Sequence, residues 1–265
     1  MVMLISMLVL LGLAFGSFVN ALVWRLHTHR PIATGRSMCV YCHHQLAWYD
    51  LIPVISWVLL LGECRYCRKP ISWQYPLVEL AAASLFVISY SAWPRELFGP
   101  YELVYFGLWL GAVVVMMALL VYDLRWLTLP DNLNWTFVLS GVLSIAIIGT
   151  VDSGLVFNHL AGMAVGWGFF ALLYYGSRGR WLGGGDVKYA LGMGAWLGES
   201  RVLVGLLAAF YSASLVILPL LLLKIVGRKQ PVPFGPFLII GTIVGMLYGQ
   251  DLIAWYQQWF LLGEA

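Results

Sequence analysis

Charged residues are scarce in this sequence. Only 10% of its 265 residues are charged, whereas 62% are hydrophobic and the mean hydropathy is +0.86. A soluble globule of this length needs more polar surface than such a composition supplies. The composition therefore indicates a membrane protein, in contact with a lipid bilayer. The net charge is only +3, and we expect no nucleic-acid partner.

Long polar segments are also lacking, with one exception. Between about Arg25 and Gln74, charges, histidines, cysteines and prolines cluster in a stretch that does not suit hydrocarbon. Elsewhere, apolar runs of about 17 to 25 residues predict eight transmembrane helices. They lie roughly at 3–24, 76–93, 101–122, 132–150, 155–176, 184–198, 202–223 and 235–257. The predicted fold is an all-α polytopic membrane protein. Its parts are a first helix (1–24), a small polar domain (25–75) and a transmembrane bundle (76–265).

Basic residues are nearly absent from every second connection between these helices. The connections after the first, third, fifth and seventh helices hold twelve basic residues, and the other connections hold two. Lys188 lies at the start of the sixth helix and belongs to neither set. Because positive charge favours the cytoplasmic side, the polar domain is predicted to be cytoplasmic and both termini periplasmic. No basic residue precedes the first apolar run, which is too long for a signal-peptide core, so we expect a retained span.

The sequence has only four cysteines, and all of them lie in the polar domain. They form two Cys-x-x-Cys pairs, Cys39/Cys42 and Cys64/Cys67, separated by 21 residues. Such pairs let four thiolates converge on one Zn²⁺, which would stabilise a domain with a small core. Two disulfides are the alternative, but they conflict with a reducing cytoplasm. The neighbouring histidines at 43 and 44 offer substitute ligands. The pattern favours a closed, structural zinc site.

Acidic residues at the ends of two predicted helices are a second signal. Asp123 closes the third helix and Asp186 opens the sixth, both at the predicted cytoplasmic side and 63 positions apart. Two carboxylates that meet can share a proton and hydrolyse a peptide by an aspartic mechanism. Interfacial aspartates that cap a helix or pair with a nearby cation are the alternative. Asp131 lies at a similar depth, so depth alone does not choose the pair.

Three glycines precede the second aspartate, and they favour a functional reading. Gly183, Gly184 and Gly185 carry no side chains, which would let an extended peptide approach the backbone near Asp186.

Several motifs in chain order together resemble one family. They are Gly16-Ser17-Phe18 with Asn20 and Arg25; the cysteine pairs with Pro53 and Ser56-Trp57 between them; Tyr75-Pro76 with Glu79; Asp123 with Leu129-Pro130-Asp131; Gly183-Gly184-Gly185-Asp186 with Lys188; and Pro233-Phe234-Gly235-Pro236. This set resembles the type IV prepilin peptidases, which are bifunctional leader peptidases and N-methyltransferases related to the GxGD aspartyl membrane proteases.

The resemblance implies an activity and roles for residues. Family members cut the basic leader from type IV prepilins or from type II secretion pseudopilins, after a glycine and on the cytoplasmic side of the bacterial inner membrane. Many then methylate the new N-terminal residue with S-adenosylmethionine. The match places the catalytic pair on Asp123 and Asp186, supported by the glycine run and Lys188. Asp131 becomes a companion of the Leu-Pro turn, and we expect it to be the N-cap of the fourth helix.

The methyl-donor site is predicted from the resemblance and not from a motif of its own. No glycine-rich nucleotide motif is present in the sequence. Shorter, peptidase-only members of the family that the chain resembles lack the cysteine domain. Because this chain has the domain, the resemblance implies methylation as well as cleavage, and we expect Asn20 and Glu79 near the methyl donor. Two alternatives stay open, namely a peptidase without methyltransferase activity and a non-enzymatic membrane scaffold or transporter. The sequence does not distinguish a pilus client from a secretion client, nor does it give the oligomeric state.

Overall fold

Helices dominate the described structure, and its described residues form no strand beyond two isolated β-bridges. A computed structural model describes residues 2–32, 34–97, 99–150, 152–227 and 232–261. Arg228 and Lys229, which the charge count used, lie outside these ranges. The elements in chain order are α1 (Val2–His27), a 3-10 turn (Trp48–Leu51), α2 (Ile55–Leu59), α3 (Gln74–Ser91), α4 (Pro100–Trp126), α5 (Asp131–Gly149), α6 (Ser153–Gly176), α7 (Gly184–Leu222), α8 (Gly235–Tyr256) and a π-helical turn (Gln257–Leu261).

The eight predicted helices are confirmed, with two of them joined end to end. The sixth and seventh are continuous in the 39-residue helix α7, which is broken at Gly198, where φ is +74°. Among the described residues, six helices are long and apolar enough to cross a membrane, namely α1, α4, α5, α6, α7 and α8 with its extension. The chain is therefore a multi-pass membrane protein. The remaining predicted span is α3, which has 18 residues.

The first compact unit comprises Met1–Ser91 together with Val113–Val121, the middle of α4. In this unit α1 packs closely against α3. A side-chain carbon at Gly16 would lie 2.5 Å from the Cα of Glu79, and one at Gly12 would collide with the backbone of Ala83. The two glycines therefore let the helices touch along their backbones. The polar domain, with the short helix α2, belongs to the same unit.

The second unit comprises Ala92–Ala112 and Tyr122–Ala265, and α7 lies at its centre. Helices α5, α6 and α8 all pack against α7. Small residues set the closest approach. A side-chain carbon on Gly194 would overlap the backbone of Gly162, and one on Gly241 would overlap Gly205. Close backbone packing of this kind is typical of helix pairs inside membranes.

This packing predicts a position-specific cost for a single methyl group. We expect Gly194→Ala to destabilise the protein by about 2 kcal/mol or more, because the methyl group has no space between α6 and α7. Thermal unfolding in detergent measures the effect.

Gly168→Ala is the matched control, since a side-chain carbon there meets nothing within 4 Å. Alanine also favours a helix over glycine, so the control should be neutral or stabilising. Equal behaviour of the two variants would contradict close packing between α6 and α7.

Candidate functional site

Asp186 lies in the first turn of α7, just after the glycine run. Gly183 is the N-cap, and its N–H donates a hydrogen bond to Oδ2 of Asp186 over 3.3 Å. Among the three glycines, only Gly185 lacks space for a side chain, because a carbon there would lie 2.9 Å from Cβ of Leu129. The helix N-terminus and this N–H both favour a carboxylate at this position.

Asp123 lies in the last turn of α4 and is only 4% exposed. The N–H of Gly235, the first residue of α8, donates to its Oδ2 over 3.1 Å. A side-chain carbon on Gly235 would lie 2.6 Å from the same oxygen. The backbone of α8 thus approaches the carboxylate at a distance that only glycine permits.

The structure brings the two aspartates together. Leu129, in the turn after α4, packs against Gly185 on one side and would meet a side-chain carbon on Gly235 at 3.1 Å on the other. The Asp123 and Asp186 carboxylates are close enough for their charges to repel each other. Asp186 is 9% exposed, so both acids are buried. Residues from α4, α7 and α8 therefore converge on one buried pair of carboxylates.

Asp131 does not belong to this pair, and its expected role as an N-cap is wrong. The N-cap of α5 is Pro130, whose carbonyl accepts the N–H of Asn134 over 3.0 Å. Pro130 itself is extended, with φ −60° and ψ 132°, so Asp131 is the first helical residue and the helix begins one residue earlier than predicted. The exposed carboxylate of Asp131 instead accepts a 2.6 Å hydrogen bond from Lys188. Lys188 is therefore engaged with Asp131.

Two residues near the aspartates were missed as individual contributors by the sequence analysis. Gly235 was noted only within a motif, although its N–H contacts Asp123. Asn134 was not noted at all, yet its Nδ2 donates to the carbonyl of Gly185 over 3.2 Å and it is fully buried. A polar amide within an apolar helix was the signal available for Asn134, because such residues in membrane helices usually have a specific partner.

The four cysteines converge in the polar domain. Their Sγ atoms all lie within 4.8 Å of one another, so the cluster could hold a metal ion. Cys39 and Cys67, from different pairs, have their Sγ atoms 3.8 Å apart. Thiolates bound about 2.3 Å from a tetrahedral Zn²⁺ lie about 3.8 Å from each other. All four are free thiols, so the disulfide alternative is not adopted.

The thiols influence one another's protonation. Against the effect of its burial, hydrogen bonds from the backbone of Cys42 and Tyr41 and from neighbouring thiols lower the pKa of Cys39 to about 7. Although the backbone of Lys69 acts in the opposite direction, burial and the other three thiols raise the pKa of Cys67 to about 12. Cys39 therefore loses its proton more readily than Cys67. A bound divalent cation would favour the thiolate form of all four cysteines.

The protein around the cysteines is held by further contacts. Asp50 accepts hydrogen bonds from Nε of Arg65 over 2.8 Å and from the hydroxyl of Tyr66 over 3.1 Å. Against the effect of burial, these contacts keep the pKa of Asp50 below its usual value. His44 packs on the ring of Tyr66 with 3.7 Å between centroids, and the metal-ligand group found among the described residues contains cysteines only.

Asn20 and Glu79 lie at the junction of α1 and α3. Nδ2 of Asn20 donates to the carbonyls of Gly16 and Tyr75, and Glu79 accepts from the N–H of Val54 over 2.7 Å. They are 3% and 5% exposed. Both side chains are thus buried and engaged with the protein itself. Their assignment to the region of the methyl donor stays a prediction.

Comparisons with known proteins cover almost the whole chain. Residues 10–93 match the bacterial peptidase A24 N-terminal domain, and residues 110–249 match the type IV leader peptidase family. No solved structure was found to match.

Three curated relatives carry the same name, prepilin leader peptidase/N-methyltransferase. The protein from Aeromonas hydrophila is 30% identical, over 97% of this chain and 94% of its own length. The protein from Burkholderia pseudomallei (strain K96243) is 33% identical, over 91% of this chain and 84% of its own length. The protein from Bacillus subtilis (strain 168) is 29% identical, over 95% of this chain and 97% of its own length. The second family match alone spans more than half of the chain. With its helical membrane fold and its buried aspartate pair, the chain belongs to the type IV leader peptidase family.

Proposed function

We propose that this protein is a membrane-embedded aspartyl endopeptidase that removes the leader of type IV prepilins or type II secretion pseudopilins and then N-methylates the new N-terminal residue. The observation that carries the peptidase is the buried pair formed by Asp123 and Asp186, at the ends of two different helices. Neither the family nor this site lends support to a non-enzymatic scaffold or transporter.

The pair can hydrolyse a peptide bond by sharing one proton. The ionised carboxylate takes a proton from a water molecule as the water oxygen bonds to the carbonyl carbon, while the protonated carboxyl donates its proton to the carbonyl oxygen. The carboxyl that took the water proton then gives it to the amine nitrogen as the C–N bond breaks, and the other carboxylate takes a proton from a hydroxyl of the tetrahedral intermediate, which restores the starting pair. Two neighbouring carboxylates hold one proton between them because their charges repel.

Backbone N–H groups orient the two acids. Gly235 donates to Oδ2 of Asp123, and Gly183 donates to Oδ2 of Asp186. No described residue donates to Oδ1 of either aspartate, which leaves this atom to exchange protons with water and substrate. Neither donor is a side chain that rotates away, so the pair is preorganised before substrate binds.

We expect Asp123→Asn and Asp186→Asn each to lower leader cleavage by roughly 10²-fold or more, because an amide can neither give nor take the shared proton. Cleavage of a prepilin by the purified protein in detergent measures this loss.

Asp131→Asn is the matched control. It removes a carboxylate at a similar helix end, outside the pair, and we expect activity to stay within a few-fold of wild type, since it weakens only an exposed ion pair. Wild-type cleavage by either catalytic variant would exclude the assigned pair.

N-methylation follows cleavage, because the methyl group is transferred to the amine that cleavage exposes. S-adenosylmethionine is the proposed donor of that group. With labelled S-adenosylmethionine, we expect wild type to yield a labelled mature pilin. Asp123→Asn should leave the prepilin unlabelled but still label a synthetic mature N-terminal segment. A mature product without label would indicate a peptidase lacking methyltransferase activity.

The same assay tests the α1–α3 junction. Glu79→Gln retains the acceptor oxygen but removes the charge. If Glu79 acts near the donor, labelling falls while cleavage persists. Parallel loss of both activities would instead indicate a role in holding α1 against α3.

We also propose that the four cysteines bind one structural Zn²⁺, which would cross-link the two halves of the polar domain. Metal analysis of the purified protein should give about one zinc per chain. Cys42→Ser or Cys67→Ser should remove most of it and destabilise the domain, because a serine hydroxyl is a poor zinc ligand. His43→Ala is the control and should retain zinc. Stoichiometric zinc after replacement of all four cysteines would exclude this site.

The proposed setting is the bacterial inner membrane, with residues 25–75 as a cytoplasmic zinc-binding domain between the first helix (1–24) and the protease bundle (76–265). Both termini would be periplasmic, as the basic residues predict. The aspartate pair would then act at the cytoplasmic face.

A further inference from the structure

A second group of polar side chains lies at the other end of the α4 to α8 unit. It comprises Trp93 and Arg95 before α4, Glu102 and Tyr105 in the first turns of α4, and Arg201 after the break in α7. We call these five residues the arginine cluster. Tyr105 and Asp123 are 18 residues apart on one helix, which corresponds to about 27 Å. The arginine cluster therefore lies near the membrane face opposite the aspartates.

The members of the arginine cluster lie near one another. The guanidinium of Arg95 lies 4.8 Å from the centroid of the Tyr105 ring, and the Trp93 ring lies 5.9 Å from it. Arg201 interacts electrostatically with both Tyr105 and Arg95. Glu102 is also within electrostatic reach of Tyr105.

Arg201 is held in place by α7 and α8. Its Nε donates to the carbonyl of Leu197 over 2.9 Å, and its aliphatic stem packs where Gly249 of α8 has no side chain. Its Nη1 has a weak contact at 4.0 Å with the sulfur of Met246. Within the described ranges Nη2 of Arg201 has no hydrogen-bond acceptor, so it is available to an anion.

Three buried polar atoms of the arginine cluster have no hydrogen-bond partner among the described residues. They are Nε1 of Trp93, the hydroxyl of Tyr105 and Oε2 of Glu102. Tyr105 is completely buried, whereas the other four residues are half-buried. Burying a polar group without a partner costs about 1–3 kcal/mol, so three in one place indicate that a polar ligand binds there.

The charges indicate what kind of ligand this is. Two guanidinium groups and one carboxylate leave an excess of positive charge in a poorly hydrated position. The two arginines, the indole N–H and the phenol hydroxyl are donors suited to a phosphate, whereas Glu102 accepts a hydrogen bond. A free phosphate would satisfy the donors only. A phospholipid headgroup that carries its own ammonium or hydroxyl group would satisfy Glu102 as well.

We propose that the arginine cluster is a binding site for a phospholipid headgroup, with the phosphate on Arg95, Arg201, Tyr105 and Trp93 and the terminal ammonium or hydroxyl group on Glu102. The site lies at the end of the transmembrane helices, where headgroups are found. It is independent of the proposed peptidase, from which most of the length of α4 separates it.

The test uses the full-length protein purified in neutral detergent, and it measures the rise in unfolding temperature on adding lipid. Phosphatidylethanolamine is compared with phosphatidic acid, which lacks the terminal ammonium group, and with diacylglycerol, which lacks the phosphate. Inorganic phosphate at matched ionic strength is the fourth probe. We expect phosphatidylethanolamine to give the largest rise.

Three variants locate the effect. Arg201→Gln and Arg95→Gln should each weaken phosphatidylethanolamine binding by roughly tenfold or more. Glu102→Gln should weaken phosphatidylethanolamine binding but not that of phosphatidic acid. Arg178→Gln is the control, because it removes the same charge from an exposed position just after the C-terminal end of α6, outside the arginine cluster. Each variant is compared by the rise in its unfolding temperature on adding lipid, so a lower unfolding temperature without lipid does not obscure the result.

The possible outcomes distinguish binding of a phospholipid headgroup from binding of acyl chains and from binding of free phosphate. Equal rises with diacylglycerol and phosphatidylethanolamine would overturn the proposal, since acyl chains alone would then stabilise the protein. An equal rise with inorganic phosphate would overturn the assignment to a lipid. Unchanged lipid binding in both arginine variants would exclude the site. Leader cleavage by Arg201→Gln should equal that of wild type, which keeps this result distinct from any failure of the peptidase.

Discussion

A carboxylate buried at the end of a membrane helix requires donors that reach it without bringing bulk. At Asp123 that donor is the backbone N–H of Gly235, and a side-chain carbon there would lie 2.6 Å from the carboxylate oxygen. The start of α8 is thereby fixed on the end of α4. Leu129 extends the contact to Gly185 and so to Asp186. The position of the aspartate pair thus depends on close approach between backbones, which glycine alone permits.

The same constraint recurs through the second unit. Gly162 with Gly194 and Gly205 with Gly241 let α6 and α8 touch the backbone of α7. Lipid offers no hydrophobic driving force for helix association, so close van der Waals contact has to supply it. The break at Gly198 divides α7 between a half that carries Asp186 and a half that carries Arg201. One helix therefore contributes to two polar sites at opposite membrane faces.

The polar domain is stabilised by different means. It has two short helical turns and two isolated β-bridges, each of which closes one Cys-x-x-Cys pair. So little regular structure buries a small apolar core. The four converging thiols and the buried acceptor Asp50, which joins Arg65 and Tyr66, supply the links that a larger core would otherwise provide. A bound metal would add the largest of these links.

The sequence by itself determined the membrane class, the eight helices, the cysteine cluster and the position of both aspartates at helix ends. These features follow from local composition and spacing, because an apolar run of sufficient length has few alternatives to a helix in a bilayer. It did not distinguish Asp123 from Asp131 by depth, since depth measures position along a helix and not the direction of a side chain. The tertiary structure decided that point by pairing Asp131 with Lys188 and burying Asp123 against Gly235.

Only the tertiary structure revealed the contacts between residues far apart in sequence. Asn134 reaches Gly185 across 51 positions, and Arg201 approaches Arg95 from another helix. No local pattern encodes such contacts, because they depend on how the helices pack and on which small residues let them approach. Spacing along the chain predicts which groups are available at each membrane face. The packing of α4, α7 and α8 determines which of those groups meet.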